Sequence, residues 1–455
     1  MFDRAVYVRR REALAARLQG GLLLLPGHAE SPMNYADNCY PFRQDSTFLY
    51  LLGLDQPDLA AVIDLDAGTT TVYGDELGID HIVWMGDLPT VADRAARAGI
   101  ERTRPLAELA AALAGRTVRY LPPYRAATVL RLAELLGRTP AEVQAGPSLD
   151  FIRAVVDLRA VKGPEEIAEI ERAVDTSVAM HEAAMGLARP GLREAEIAAA
   201  VEGIALAAGG RVAFPVIATV EGQTLHNHFH GNVLRAGDLF LLDAGAESPR
   251  GYAGDLSSTF PVSARFSDRQ RTIYELQLAA YDAAVAALAP GVPNREVHFA
   301  AARVIFDGLK GLGVFRGDTD EALAAGAHAM VFPCGVGHMM GLDVHDMEDL
   351  GERWVGWDGA ARSTQFGLKS LRLGRALQPG FVVTIEPGIY FIPQLMDLWR
   401  GRGHCAAFID FDELDKWRGF GGVRNEEDYL ITADGARRLG RAKPLRTNEI
   451  EALRG

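Results

Sequence analysis

The sequence predicts an α+β protein, with an α/β domain over residues 1–157 followed by a pseudo-two-fold α+β domain over residues 158–455. Three observations lead there. Roughly the first 155 residues alternate short apolar strand-like runs with stretches of helical spacing, the pattern of a layered α/β domain. The later region carries a weak internal repeat, two Pro-Gly steps beginning at Pro190 and Pro290, each followed by a short polar cap and an amphipathic helix. That region also places four carboxylates and an imidazole in or beside apolar, glycine-punctuated runs, as a cleft between two halves would require.

Taken in order, "VYVRRREALAARL" has helical spacing, and "GGLLLLPG", "AAVIDLDAGTTTVYG" and "HIVWMG" read as strands. "GHAESPMNYADN" reads as a loop leading into "CYPFRQDSTFLYLLGL", and "PAEVQAGPSLDFIRAVVDLR" includes helical spacing. No glycine loop suited to phosphate occurs in this part. The domain boundary falls at "LRAVKGPEEIAEIERA". Pro164 suits the first helical turn and Glu165 and Glu166 follow it, both helix-start signals. Ile167, Ile170, Val174 and Val178 then share one helical face.

The composition is that of a globular protein, 48% hydrophobic and 24% charged, with a net charge of −13. The absence of a basic run argues against nucleic-acid binding. "GLLLLPG" is far too short to cross a bilayer and lacks a signal-peptide layout, so no membrane association is expected. Three cysteines, Cys39, Cys334 and Cys405, with no paired spacing, fit a reducing compartment and a cytoplasmic enzyme.

The chemistry is carried by Asp243, Asp255, His338, Glu386 and Glu426. A buried ionised carboxylate is costly unless it is paired or bound to a metal. Four carboxylates with one imidazole suit two divalent ions, an arrangement that activates water for hydrolysis. Asp243 ends "LFLLD" and Asp255 lies in "GYAGDLSSTFPV"; two strands joined by a turn would bring the pair together, although either alone reads as a turn-capping Asp. His338 sits among glycines in "CGVGHMMGLDVHD", with His345 seven residues later as a group beside the metal or the substrate. Glu386 follows four β-type residues in "VVTIEPG". Glu426 lies in "GGVRNEEDYLIT", where Glu427 and Asp428 are alternatives by spacing and Arg424 is placed to orient carboxylates. His226, His228 and His230 alternate in "LHNHFHGN" as if on one strand face, either a surface strand or a third metal site.

The ordered set "LLDAG", "GYAGDLSSTFP", "GVGHMMGLDVHD", "TIEPGIYFI" and "GGVRNEED" closely resembles the aminopeptidase P and prolidase family of metallopeptidases, which have the pita-bread fold. "YPFRQDSTFLYLLGL" resembles that family's N-terminal domain, so the likeness spans nearly the whole chain. It implies a C-terminal pita-bread catalytic domain and two divalent ions, Mn(II) first with Co(II) or Zn(II) as alternatives. Asp243, Asp255, His338, Glu386 and Glu426 would be the ligands, with Asp255 and Glu426 shared between the ions. Glu386 would also take the proton of the attacking water. His226 and His345 would stand on the substrate side, and Arg372 would hold the free carboxylate of a dipeptide; Arg424 is placed with the substrate-binding groups. The implied reaction is hydrolysis of the bond between an N-terminal residue and proline in short peptides, by a homodimer. A strict Xaa-Pro dipeptidase is the second reading, and a metal-free binding protein of the same fold a remote third. Three departures bear on substrate range. Cys334 stands where the family has a histidine, the Asp243–Asp255 segment is one residue longer, and "FPVIATVEGQTLH" lacks a common Gly-Ser-Gly-Glu-Asn pattern.

Overall fold

The computed structural model describes residues 1–454. The chain divides into two compact units, residues 1–159 with 347–354, and residues 160–346 with 355–455. The expected division at 157/158 made no provision for residues 347–354. Their acidic "MEDLGE" looks like solvated loop, yet Met347 and Leu350 within it are buried.

The first unit is built on a mixed five-stranded sheet, in the order Arg102–Arg104, Thr69–Tyr73, Ala60–Asp64, Leu22–Pro26, Val118–Arg119. The run "LLLL" pairs antiparallel with "AAVID", Leu22 opposite Asp64 and Leu24 opposite Val62. Leu22, Leu24, Val62, Leu109, Leu132 and Val143 form its core, each such side chain contributing about 1.5–3 kcal/mol by burial. The expected strand "HIVWMG" is instead a helix, Ile79–Met85, bracketed by Gly78 and Gly86. Val83 and Trp84 lie exposed on it, so the apolar run never reported a buried strand. Short apolar runs cannot be assigned by periodicity alone.

The second unit carries the repeat. Helices Pro164–Leu187 and Glu194–Ala207 pack together, as do Asp268–Ala286 and Asn294–Gly311. Pro164 opens the first, where the Glu166 carboxylate accepts the Gly163 N–H at 3.0 Å. Ile170, Val174 and Val178 are buried along one face. Each pair turns through a left-handed glycine, Gly191 (φ 96°) and Gly291 (φ 85°).

A three-stranded sheet follows each pair. In the first, Leu239–Asp243 lies between Ile217–Thr219 and Ser257–Pro261, with Asp243 opposite Ser257. In the second, Glu427–Ile431 lies between Val382–Ile385 and Ala436–Arg438, with Ile385 opposite Glu427. Both sheets therefore hold an antiparallel pair with a carboxylate at or just after the end of the first strand and another just before the second. Gly388–Tyr390 pairs separately with Gly422–Arg424. Residues 226–230 form no strand; they lie in a turn and irregular chain, so the period-two alternation of His226, His228 and His230 does not mark a common face.

Candidate metal centre

Strand ends deliver the acidic groups. Asp243 closes Leu239–Asp243, Asp255 stands two residues before Ser257–Pro261, Glu386 directly follows Val382–Ile385, and Glu426 directly precedes Glu427–Ile431. His338 comes from irregular chain sewn to the second sheet. Its N–H meets Thr384 Oγ1 at 3.1 Å, and its carbonyl accepts Thr384 N–H at 3.0 Å. Gly337 allows that approach, since a Cβ there would lie 2.0 Å from the Thr384 carbonyl oxygen. Glu386 N–H is tied to Val336 O at 2.8 Å, and Glu426 N–H to Ser257 O at 3.1 Å.

All five expected ligands line one cavity of about 210 Å³, together with His226, His345, Cys334 and Arg424. Ligand atoms of Asp255, His338 and Glu426 lie within 4.8 Å of one another. Among the described residues, Asp243 Oδ1 and Asp255 Oδ1 are buried without a hydrogen-bond partner.

The tautomer of His338 is informative. Nδ1 lies 3.0 Å from the Met339 carbonyl, which can only accept, so Nδ1 carries the hydrogen. Nε2 then turns a lone pair toward Asp255 Oδ2 at 3.3 Å and Glu386 Oε1 at 3.5 Å. Lone pair against carboxylate is repulsive unless a cation or a proton lies between. Burial pushes Asp243 up to about 7 despite Arg424, raises Glu386, and raises Glu426 well above the usual carboxylate range. The residues present thus fit a divalent cation: oxygen and imidazole donors, buried, with excess negative charge.

Arg424 is buried, and its guanidinium is directed at protein partners: Asp243 Oδ2 at 2.5 Å, Ser257 Oγ at 2.8 Å and Tyr390 OH at 2.9 Å. Instead of the expected substrate contact, this geometry holds a carboxylate in place. Behind it, the Lys443 ammonium donates to Ser257 O at 2.7 Å, and Asp428 Oδ2 accepts Asp255 N–H at 3.0 Å. Asp428 is thereby engaged outside the cavity lining. Lys443, Ser257 and Tyr390 carry no signal in sequence; a lysine in a polar tail and a serine in a strand have ordinary readings.

His345 packs edge-on to His338 with ring centroids 4.4 Å apart. Burial, then the charges of His338 and Arg372, push its pKa to about 2; burial likewise lowers that of His226. Both are therefore neutral imidazoles. The chain holding His345 is anchored by Asp346, whose carboxylate meets the Lys162 ammonium at 2.7 Å. The Cys334 thiol is pushed up to about 12 by burial, then by Glu386, so it stays protonated. A second cavity of about 710 Å³ shares His226, Cys334, His338, His345 and Glu386 and adds Arg372, Phe366, Gln394 and Leu398.

Against known protein families, residues 168–433 match the model of metallopeptidase family M24, and residues 7–119 match that of the aminopeptidase P N-terminal domain. The chain belongs to metallopeptidase family M24. Among M24 relatives it is 30% identical to Xaa-Pro dipeptidase of Homo sapiens, over 98% of this chain and 93% of that one. It is 31% identical to Xaa-Pro aminopeptidase of Escherichia coli strain K12, over 99% and 98%. The structure of Pseudomonas aeruginosa aminopeptidase PepP superposes with a TM-score of 0.82 at 30% identity, over 99% and 98% of the two chains. The fold is thus the pita-bread type preceded by an aminopeptidase P N-terminal domain, and the M24 cofactor is divalent metal. No helix among the described residues is long and apolar enough to cross a membrane.

Proposed function

We propose that this M24 chain is a dinuclear metal-dependent Xaa-Pro aminopeptidase, hydrolysing the bond between an N-terminal residue and proline in short peptides. The observation carrying it is His338 Nε2 facing two carboxylates, at 3.3 and 3.5 Å, in a cavity that also holds Asp243 and Glu426. Asp243, Asp255, His338, Glu386 and Glu426 would hold the metal. When bound, two divalent ions, Mn(II) in our reading, supply Lewis acidity and a lowered water pKa.

The chain's own groups do the rest. Glu386 lies at the rim shared by both cavities and takes the proton of the attacking water. His345 and His226, neutral and lining both cavities, each offer an N–H to the carbonyl oxygen as negative charge develops on it. Arg424 holds Asp243 in register. Proline needs a dedicated pocket, because the X–Pro bond offers no N–H for an ordinary peptidase to grip; Phe366, Leu398 and the stem of Arg372 give the larger cavity such walls. A cytoplasmic homodimer completes this reading.

A second reading, a strict Xaa-Pro dipeptidase, is favoured by Arg372, a cation in the larger cavity suited to a free C-terminal carboxylate. Metal-stripped protein, assayed with and without Mn(II) on an Xaa-Pro dipeptide and an Xaa-Pro-Xaa tripeptide, separates the two. Metal-dependent cleavage of both supports the aminopeptidase, cleavage of the dipeptide alone supports the dipeptidase, and cleavage of neither removes both. For a dipeptidase, Arg372→Ala lowers kcat/KM for the dipeptide by roughly 10- to 100-fold, as expected for a lost charge-assisted contact. The tripeptide value then stays within a few-fold. Equal losses on both substrates would discard the carboxylate clamp.

A further inference from the structure

Ser257 occupies a junction that none of the ligand motifs describes. It is fully buried at the start of Ser257–Pro261, opposite Asp243. The Arg424 Nε–H can only donate, so Ser257 Oγ accepts from it at 2.8 Å. The single hydroxyl hydrogen is then left for Glu426 Oε2, 2.7 Å away. The Ser257 carbonyl accepts the Glu426 N–H at 3.1 Å and the Lys443 ammonium at 2.7 Å. One residue thus fixes both ends of Glu426, backbone and carboxylate, and links it through Arg424 to Asp243 in the other strand pair.

Glu426 needs such a constraint. The terminal torsion of a glutamate is broad, so its carboxylate plane is not set by the backbone. Its oxygen must converge with Asp255 and His338 within 4.8 Å. Groups that orient a ligand from behind typically contribute 10- to 100-fold to metal affinity. We propose that Ser257 is a positioning residue for the metal centre, its hydroxyl setting the orientation of the Glu426 carboxylate and relaying to it the fixed geometry of Arg424. The inference rests on the metal-dependent reading above, but its test does not depend on turnover.

The test titrates the full-length metal-free protein with Mn(II) by calorimetry, in wild type, Ser257→Ala, Ser257→Thr and Ser177→Ala. Ser177 is the control. It is equally buried, and its hydroxyl donates to Ala173 O at 2.8 Å and accepts Ala246 N–H at 2.9 Å, with no ligand contact. Expected is a roughly 10- to 100-fold weaker Mn(II) affinity in Ser257→Ala. Ser257→Thr and Ser177→Ala should stay within a few-fold of wild type. Ser257→Ala binding as tightly as wild type, or no tighter a loss than Ser177→Ala shows, overturns the role. Should Ser257→Ala not fold, the threonine variant decides alone, since weak binding despite its hydroxyl contradicts the relay. A wild type that binds no Mn(II), Co(II) or Zn(II) removes the metal-dependent reading itself.

Discussion

Glu386 meets two demands at once. In the proposed reaction it stays close enough to His338 to share a cation, at 3.5 Å, and also reaches the water that attacks the substrate. Its backbone is pinned through Val336 while its side chain opens on both cavities. Glu386→Gln keeps volume and polarity but cannot take a proton. Turnover of an Xaa-Pro tripeptide in saturating Mn(II) should fall roughly 10³-fold, within the range for a lost general base, with the circular dichroism spectrum unchanged. Activity within tenfold of wild type would end its role as base. At this scale much of the site was legible. A carboxylate ending an apolar strand is expensive enough to demand a reason, which singled out Asp243 and Glu386. Spacing left Glu426, Glu427 and Asp428 open, and the family resemblance chose among them. Arg424 was placed correctly beside the carboxylates, but its assignment to substrate did not anticipate a guanidinium turned inward on Asp243, Ser257 and Tyr390.

Among the elements, the duplicated helix pairs were readable because Pro-Gly steps punctuate them. At the second, Gly291 has φ 85° and open space around its Cβ position. Gly291→Ala therefore isolates the backbone cost of the left-handed turn, about 1–2 kcal/mol, seen as a lower urea midpoint with unchanged kcat in the folded fraction. No loss of stability would mean that the turn relaxes. The misread elements share a cause. "HIVWMG" is apolar but exposed on its helix, and "LHNHFHGN" alternates without being a strand. In both, the pattern normally written by burial was produced by something else.

For the molecule as a whole, acid should be destabilising for a reason away from the catalytic cavity. His298 and His328 are fully buried, 5.6 Å apart between ring centroids, and among the described residues none of their ring nitrogens has a hydrogen-bond partner. Burial pushes His328 to about 4 and His298 well below the usual histidine range. The unfolded chain binds those protons near 6.5, before the folded one does. Stability is thus complete above about pH 6.5 and falls as pH drops from there toward 4, by up to about 1.4 kcal/mol per pH unit for each histidine. His298→Phe, which keeps the stacking on Phe332, should flatten that slope in urea melts of metal-free protein between pH 6.5 and 5. An unchanged slope would place the acid sensitivity elsewhere. The two-part architecture was legible from the alternation of elements and the repeat; residues 347–354 of the first unit were not, because nothing in a short acidic loop announces where it packs.

The division of the ligands between two strand pairs also has a consequence for biosynthesis. Asp243 and Asp255 leave the ribosome well before His338, Glu386 and Glu426, and Arg424, which steadies Asp243, is made almost last among them. A nascent chain or a product of premature termination holding only the first strand pair has neither the imidazole nor the base. On the proposed ligand set, peptide-bond hydrolysis therefore requires translation to have passed Glu426, and chains cut short before it lack the activity.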